Sequence, residues 1–231
     1  MVGAMKLTAV VSVLGFYGAV FAADVSGKVS FGGAAPKSQP IQMKADPVCA
    51  KLNTGKTIEK EDLVVNANKT LANVFVYVKE GVKKESIPPV PTEPVTFDQR
   101  GCMYHPHVLG VRVGQPLKII NSDATLHNVN ANAKVNSKFN QGMPTQGQTI
   151  DKKFTKPETM VRVKCDVHGW MNASIGVLDH PYFAVTDTTG GFTIKNLPAG
   201  EYTLEAWHEK LGTKTMKVTV AATAQPADFT F

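Results

Sequence analysis

Apolar and polar positions alternate in short runs along most of this chain, and turn-forming Gly, Pro, Asn and Asp residues separate the runs. No segment sustains the apolar helical period of about 3.6 residues. The pattern predicts a nearly all-β fold, with strands at 25–31, 63–65, 73–78, 108–113, 117–121, 149–154, 160–165 and 173–178. A set of that size suits a β-sandwich. The stretch Ile87-Pro88-Pro89-Val90-Pro91-Thr92-Glu93-Pro94 offers few amide donors for a ladder and reads as an extended connector.

Beyond Asp179 the alternation restarts around new turn residues, with runs at 192–194, 202–206 and 217–220. The pattern Gly191-Phe-Thr-Ile194-Lys-Asn-Leu197-Pro-Ala-Gly200-Glu-Tyr202-Thr-Leu204 resembles the carboxypeptidase regulatory-like, transthyretin-like β-sandwich module. A unit of about 53 residues has little core of its own and is expected to pack against the preceding domain. It contains no HExxH pattern, so nothing in it points to zinc-protease chemistry.

The N-terminus changes the picture of where the protein works. Lys6 precedes an uncharged apolar run from Leu7 to Ala22, and Val20-Phe21-Ala22 offers a cleavage site, the pattern of a signal peptide at 1–22. The run falls short of the roughly 20 residues a spanning helix needs, so the mature protein is expected without a transmembrane segment, in the periplasm or outside the cell. The net charge of +6 is modest, and the lysines are scattered rather than striped with aromatics, which argues against nucleic-acid binding. Three Cys in an exported chain leave one unpaired. Cys165 lies among other potential ligands, so Cys49 and Cys102 are the expected disulfide, a bridge contributing on the order of 4 kcal/mol in the chain-entropy model.

The candidate chemistry sits in Met160-Val-Arg-Val163-Lys-Cys165-Asp-Val-His168-Gly-Trp170-Met171. Alternation puts Val161, Val163 and Cys165 on one buried side, so Cys165 ends a strand pointing inward. The chain then turns, and Gly169 eases the bend that brings Cys165, His168 and Met171 onto one short loop. Upstream, Gly114-Gln-Pro-Leu117 to Asn121 forms a strand, followed by a loop and the pair His127-Asn128. Thiolate, two imidazoles and a thioether suit a copper ion shuttling between Cu(I) and Cu(II). Zinc competes for the Cys/His set but has no use for a thioether, and Met171 also reads as plain core filler.

These two motifs resemble those of the cupredoxins, in particular the plastocyanin and amicyanin group, over roughly residues 95–178. The resemblance implies a Greek-key β-sandwich holding one type 1 copper through His127, Cys165, His168 and Met171. It also implies that Asn128 braces the two ligand loops, that a solvent-facing edge of His168 hands electrons on, and that the partners are redox proteins such as c-type cytochromes or dehydrogenases. The expected architecture is a copper domain over 23–178, with extra N-terminal strands in 24–94, and a small C-terminal sandwich over 179–231. Function is then one-electron transfer without bond chemistry, so the chain is not expected to be an enzyme. A second reading, copper delivery in the cell envelope, would use Met103, His105 and His107 as a transfer site; surface histidines beside a disulfide are the plainer reading of that cluster. Trp170 reads either as an apolar rim to the site or as a structural aromatic. His180 and His208 are expected to bond between domains.

Overall fold

The computed structural model describes residues 21–37, 39–221 and 226–231, so most of the expected leader, 1–20, lies outside the described residues. The first elements are β1 (Ala22–Ser30), the short helix α1 (Pro47–Leu52), β2 (Phe75–Glu80), β3 (Val95–Arg100), β4 (Met103–His105) and β5 (Val108–Arg112). There follow β6 (Leu117–Asn121), β7 (His127–Asn132), β8 (Phe139–Met143), β9 (Thr149–Lys152), β10 (Glu158–Lys164) and β11 (Asn172–Leu178). The last are β12 (Phe183–Val185), β13 (Gly191–Pro198), β14 (Gly200–His208), β15 (Gly212–Val220) and β16 (Phe229–Thr230). The described residues are nearly all β apart from α1 and a 3-10 turn at Lys84–Ser86, as the alternation predicts. No helix among the described residues is long and apolar enough to cross a membrane.

Two sheets, ordered β5-β11-β10-β7-β8 and β4-β3-β6-β9, face one another around a core that includes Phe97, Tyr104, Leu117, Ile119, Val129, Val161, Val163 and Ile175. Consecutive strands β5 and β6 lie in opposite sheets, and β5 pairs parallel with β11 while β3 pairs parallel with β6. β3 and β4 meet through a two-residue turn, Gly101-Cys102, with both residues at positive φ (62° and 57°). Both amides of that turn donate to the Asp123 carboxylate, at 2.8 and 2.7 Å, which holds a left-handed conformation that Cys rarely adopts unaided.

The second sandwich consists of β13-β1-β16 and β12-β2-β14-β15. This corrects the expected placement of the N-terminal strands. β1 runs between β13 and β16, and β2 between β12 and β14, so both belong with the C-terminal strands rather than with the first sandwich. Without them each C-terminal sheet would be split into fragments with open edges, and the unit would lack Val25, Val29, Val74, Val76 and Val78 from its core. The second sandwich therefore has an apolar core of its own. The expected strand at 63–65 amounts to an isolated bridge between Val65 and Leu71.

β2 is buried on both faces. Val76 and Val78 enter the second core, while Phe75 and Tyr77 join Val108, Leu178, Phe183 and Trp207 in a smaller apolar cluster between the two sandwiches. Gly110 and Gly176 make this contact possible: a Cβ on Gly110 would stand 2.1 Å from the Phe183 ring, and one on Gly176 2.5 Å from the Phe75 ring. The proline-rich connector is pinned by buried Arg112, whose guanidinium donates to the carbonyls of Pro88 and Pro89 at 2.8 and 3.0 Å. Prolines give no amide to a ladder, but their carbonyls accept freely.

Candidate metal centre

The centre forms at one end of the first sandwich. Asn121, fully buried at the end of β6, donates to the carbonyls of Thr125 and Met143 at 3.0 and 2.8 Å and accepts from the amide of Asp123 at 3.0 Å. That buried amide shapes the loop 122–126 and delivers His127 to the start of β7. On the neighbouring strand β10, Val161 and Val163 point into the core, and Cys165 continues the same side just past its end. The next turn closes on itself through Met171 N–H to the carbonyl of His168 (2.9 Å) and Cys165 N–H to the carbonyl of Met171 (3.0 Å). It carries His168 inward and leaves Met171 fully buried in the core beneath.

The ligand atoms of His127, Cys165 and His168 all lie within 4.8 Å of one another. His127 Nδ1 stands 2.9 Å from His168 Nδ1, and Cys165 Sγ 3.8 Å from His168 Nδ1. Each ring turns its other nitrogen to a carboxylate: His127 Nε2 to Asp123 at 2.9 Å and His168 Nε2 to Asp46 at 3.0 Å. An ionised carboxylate only accepts, so both Nε2 atoms carry protons and both Nδ1 atoms direct lone pairs at one point, beside the sulfur. Three lone pairs converging in a buried space require a shared cation or proton.

Proton affinities follow from this arrangement. Burial opposes charge on His127, yet the Asp123 carboxylate and the Cys165 sulfur outweigh it and raise the ring to about 9. Burial likewise pushes the Cys165 thiol up, but the His127 ring and the amides of Asn128, His168 and Val167 bring it below the ordinary thiol value. The pocket thus shifts Cys165 toward the thiolate, the form in which sulfur binds metals. A proton on His127 and a metal ion compete for the same lone pairs.

The separations fit an ion. Bonds of about 2.0 Å to two nitrogens at a right angle place them about 2.8 Å apart, and a sulfur at about 2.3 Å lies 3.8 Å from a nitrogen when the angle between the bonds is about 120°. Asn128 ties the two ligand-bearing segments together. Its Oδ1 accepts from Asp166 N–H at 2.6 Å and lies 3.3 Å from Cys165 Sγ, and its Nδ2 donates to Asn140 at 2.6 Å.

Among known proteins, the family model for domain II of polysaccharide lyase family 4 matches residues 155–227, a stretch running from β10 through most of the second sandwich, and names a different module from the one that residues 191–204 resemble. No curated protein matches. Among solved structures, a copper-containing nitrite reductase from Thermus scotoductus SA-01 is 24% identical over 44% of this chain and 25% of its own, with a TM-score of 0.34. An oxidized mutant form of amicyanin is 22% identical over 44% of this chain and 97% of its own (TM-score 0.33), and a purple cupredoxin from Nitrosopumilus maritimus is 18% identical over 36% and 97% (TM-score 0.31).

The structure brings His127, Cys165 and His168 together and also joins Cys49 to Cys102 in a disulfide. The two histidines of the second cluster have other partners. The His107 ring bonds the carbonyl of Asn172 through Nδ1 (3.1 Å) and the Glu209 carboxylate through Nε2 (2.9 Å), both oxygens accepting, whereas His105 bonds the carbonyl of Arg100 at 3.1 Å. The edge of His168 is a correction: the residue is 2% exposed, and Asp46 and Cys49 cover the edge at Nε2 rather than leaving it to solvent. His180 and His208 accept through Nδ1 from amides two or three residues on, and His180 also bonds the Val78 backbone of β2. Sequence reasoning missed Asp46 and Asp123. The spacing of Asp123, four residues before His127, is a visible signal; Asp46 is 122 residues from His168 and has none.

Proposed function

We propose that this protein is a one-electron carrier built on a single type 1 copper ion held by His127, Cys165 and His168, with the Met171 thioether as the weak fourth ligand. The observation that carries this reading is the convergence of two imidazole Nδ1 atoms and the Cys165 sulfur, with both imidazoles oriented from behind by carboxylates. A two-nitrogen, one-thiolate set near a thioether selects copper over zinc by softness. When bound, the ion supplies a reversible Cu(I)/Cu(II) couple. The chain's own residues supply a cage whose shape is set before the ion arrives: Asn121 fixes the first loop, Asn128 links it to the second, and the Met171–His168 hydrogen bond closes the turn. Such a cage resists the geometric change that oxidation would otherwise bring. Trp170, half-buried with its ring 5.0 Å from that of His168, is the aromatic beside the centre that reaches toward the surface.

We also infer that the protein works outside the cytoplasm, because its disulfide is stable in an oxidising compartment and the N-terminal run has the form of an export signal. Its expected partners are redox proteins. Adding Cu(II) to the purified protein should give an intense visible thiolate-to-copper band and a one-equivalent paramagnetic signal, and Cys165→Ser should abolish the band. A band that survives that substitution, or copper uptake without one, rejects the assignment.

A further inference from the structure

The face of His168 that points away from the converging ligands is closed by a strap, residues 43–53, contributed from far upstream. Asp46 heads it. Its Oδ1 accepts from the amides of Val48 and Cys49 at 2.8 and 3.0 Å and so caps α1, while its Oδ2 meets His168 Nε2 at 3.0 Å and the Thr125 hydroxyl at 3.1 Å. Cys49 Sγ lies 3.6 Å from the same ring nitrogen. Cys49 is bonded to Cys102, whose amide donates to Asp123, the carboxylate behind His127. Asn53 fastens the far end of the strap by donating to the carbonyls of Cys49 and Gly101 at 2.9 and 3.0 Å, and Met43 is buried in the core of the first sandwich.

Capping explains only half of Asp46. The second carboxylate oxygen is spent on a ligand histidine and on the loop that carries the other one. Its geometry is that of a carboxylate–histidine pair, which fixes ring tautomer and orientation and makes the opposite nitrogen a stronger donor. We propose that Asp46 is a positioning residue of the metal centre and that the strap it heads, stapled by the Cys49–Cys102 disulfide, is a resident lid over His168. The lid holds His168 with its proton on Nε2, sets a negative charge one hydrogen bond behind the ligand, and bars water and chelators from that edge. A negative charge so placed favours the more highly charged ion, so the strap raises affinity for Cu(II) over Cu(I).

The inference rests on the copper reading, and one experiment separates the two. Full-length wild type, Asp46→Asn, Asp46→Ser and the double variant Cys49→Ala/Cys102→Ala are loaded with Cu(II). Midpoint potential, visible and paramagnetic spectra, copper loss to excess chelator and thermal unfolding are then measured. Asn and Ser both cap helices well, so neither substitution removes the cap. In Asp46→Asn the ratio of Cu(II) to Cu(I) affinity should fall about tenfold, a rise of about 59 mV in potential for one electron. Asp46→Ser, too short to reach the ring, should show the same rise and at least about tenfold faster loss of copper. The double cysteine variant keeps Asp46 but frees the strap, so copper loss should accelerate with a smaller change in potential. Folded Asp46 variants with wild-type potential and wild-type copper loss would overturn the inference while leaving a blue wild type intact. A wild type that gives no thiolate band rejects both readings at once.

Discussion

Two buried histidines, one in each sandwich, have been driven in opposite directions. His127 is wholly enclosed in the first, yet its pKa is raised to about 9; His208 is almost as enclosed in the second, and its pKa is lowered to about 4. Burial lowers both. What differs is the company: Asp123 and Cys165 overcome the desolvation of His127, whereas Glu209 and Asp62 only partly offset that of His208, and His107 adds to it. His208 is a neutral acceptor, its Nδ1 receiving the amides of Lys210 and Leu211 at the β14–β15 turn. The contrast extends to the regions around them. One end of the first sandwich buries Asn121, Asp123, His127, Asn128 and His168 together, a concentration of polar groups that costs free energy and must be held by mutual bonding. The second sandwich closes over Val, Ile, Leu and Phe side chains, and its buried Glu205 and Thr186 bond separately across to β2 and the chain before it. A lone buried histidine is a structural part; a buried histidine whose field attracts positive charge is a candidate site.

The largest expected effect is the gap itself. In nitrogen-edited NMR titrations of the metal-free protein, His127 should keep its second proton until about pH 9 and His208 should gain one only near pH 4, a spread of about five units. Copper uptake at neutral pH should accordingly release a proton, visible as a buffer-dependent heat. Titration of both rings together would erase the distinction.

Next in size is a cavity in the second core. Leu204 is fully buried there, and Leu204→Ala should cost about 2–5 kcal/mol by denaturant unfolding while copper stoichiometry and the visible band stay unchanged. Loss of the band would show that the second sandwich shapes the centre and does not merely adjoin it.

Acid stability provides a third test. Because the folded His208 pKa is lowered, the unfolded chain takes up the proton first; the contribution of this ring is complete above about pH 6.5 and is lost as pH falls toward 4. The slope amounts to up to roughly 3 kcal/mol, and His208→Asn, which keeps an acceptor for the turn amides, should remove it. The smallest effect lies between the regions. Gly110→Ala would drive a methyl into the Phe183 ring and should destabilise by about 1–3 kcal/mol, leaving both histidine titrations in place.

Much of the centre was legible because its information is local. Cys165, His168 and Met171 lie within one short stretch of chain, and strand alternation alone aims Cys165 inward. The partner strands β3 and β7 were not, since their buried positions include Gln99, His127 and Asn128, which hide the apolar beat. The Cys49–Cys102 bridge could be reached by counting thiols, but not its position against His168.

By itself the sequence determined the all-β class and brought Cys165 and His168 onto one short turn, both of which depend on period and short spacing. Only the tertiary structure decided that β1 and β2 complete the second sandwich, and that Asp46 closes over a histidine 122 residues away. The physical reason is common to both. Alternation says which face of a strand is buried, and charge says that a carboxylate wants a donor, but neither names the partner. That choice belongs to long-range packing, where sheet edges and buried donors are satisfied all at once.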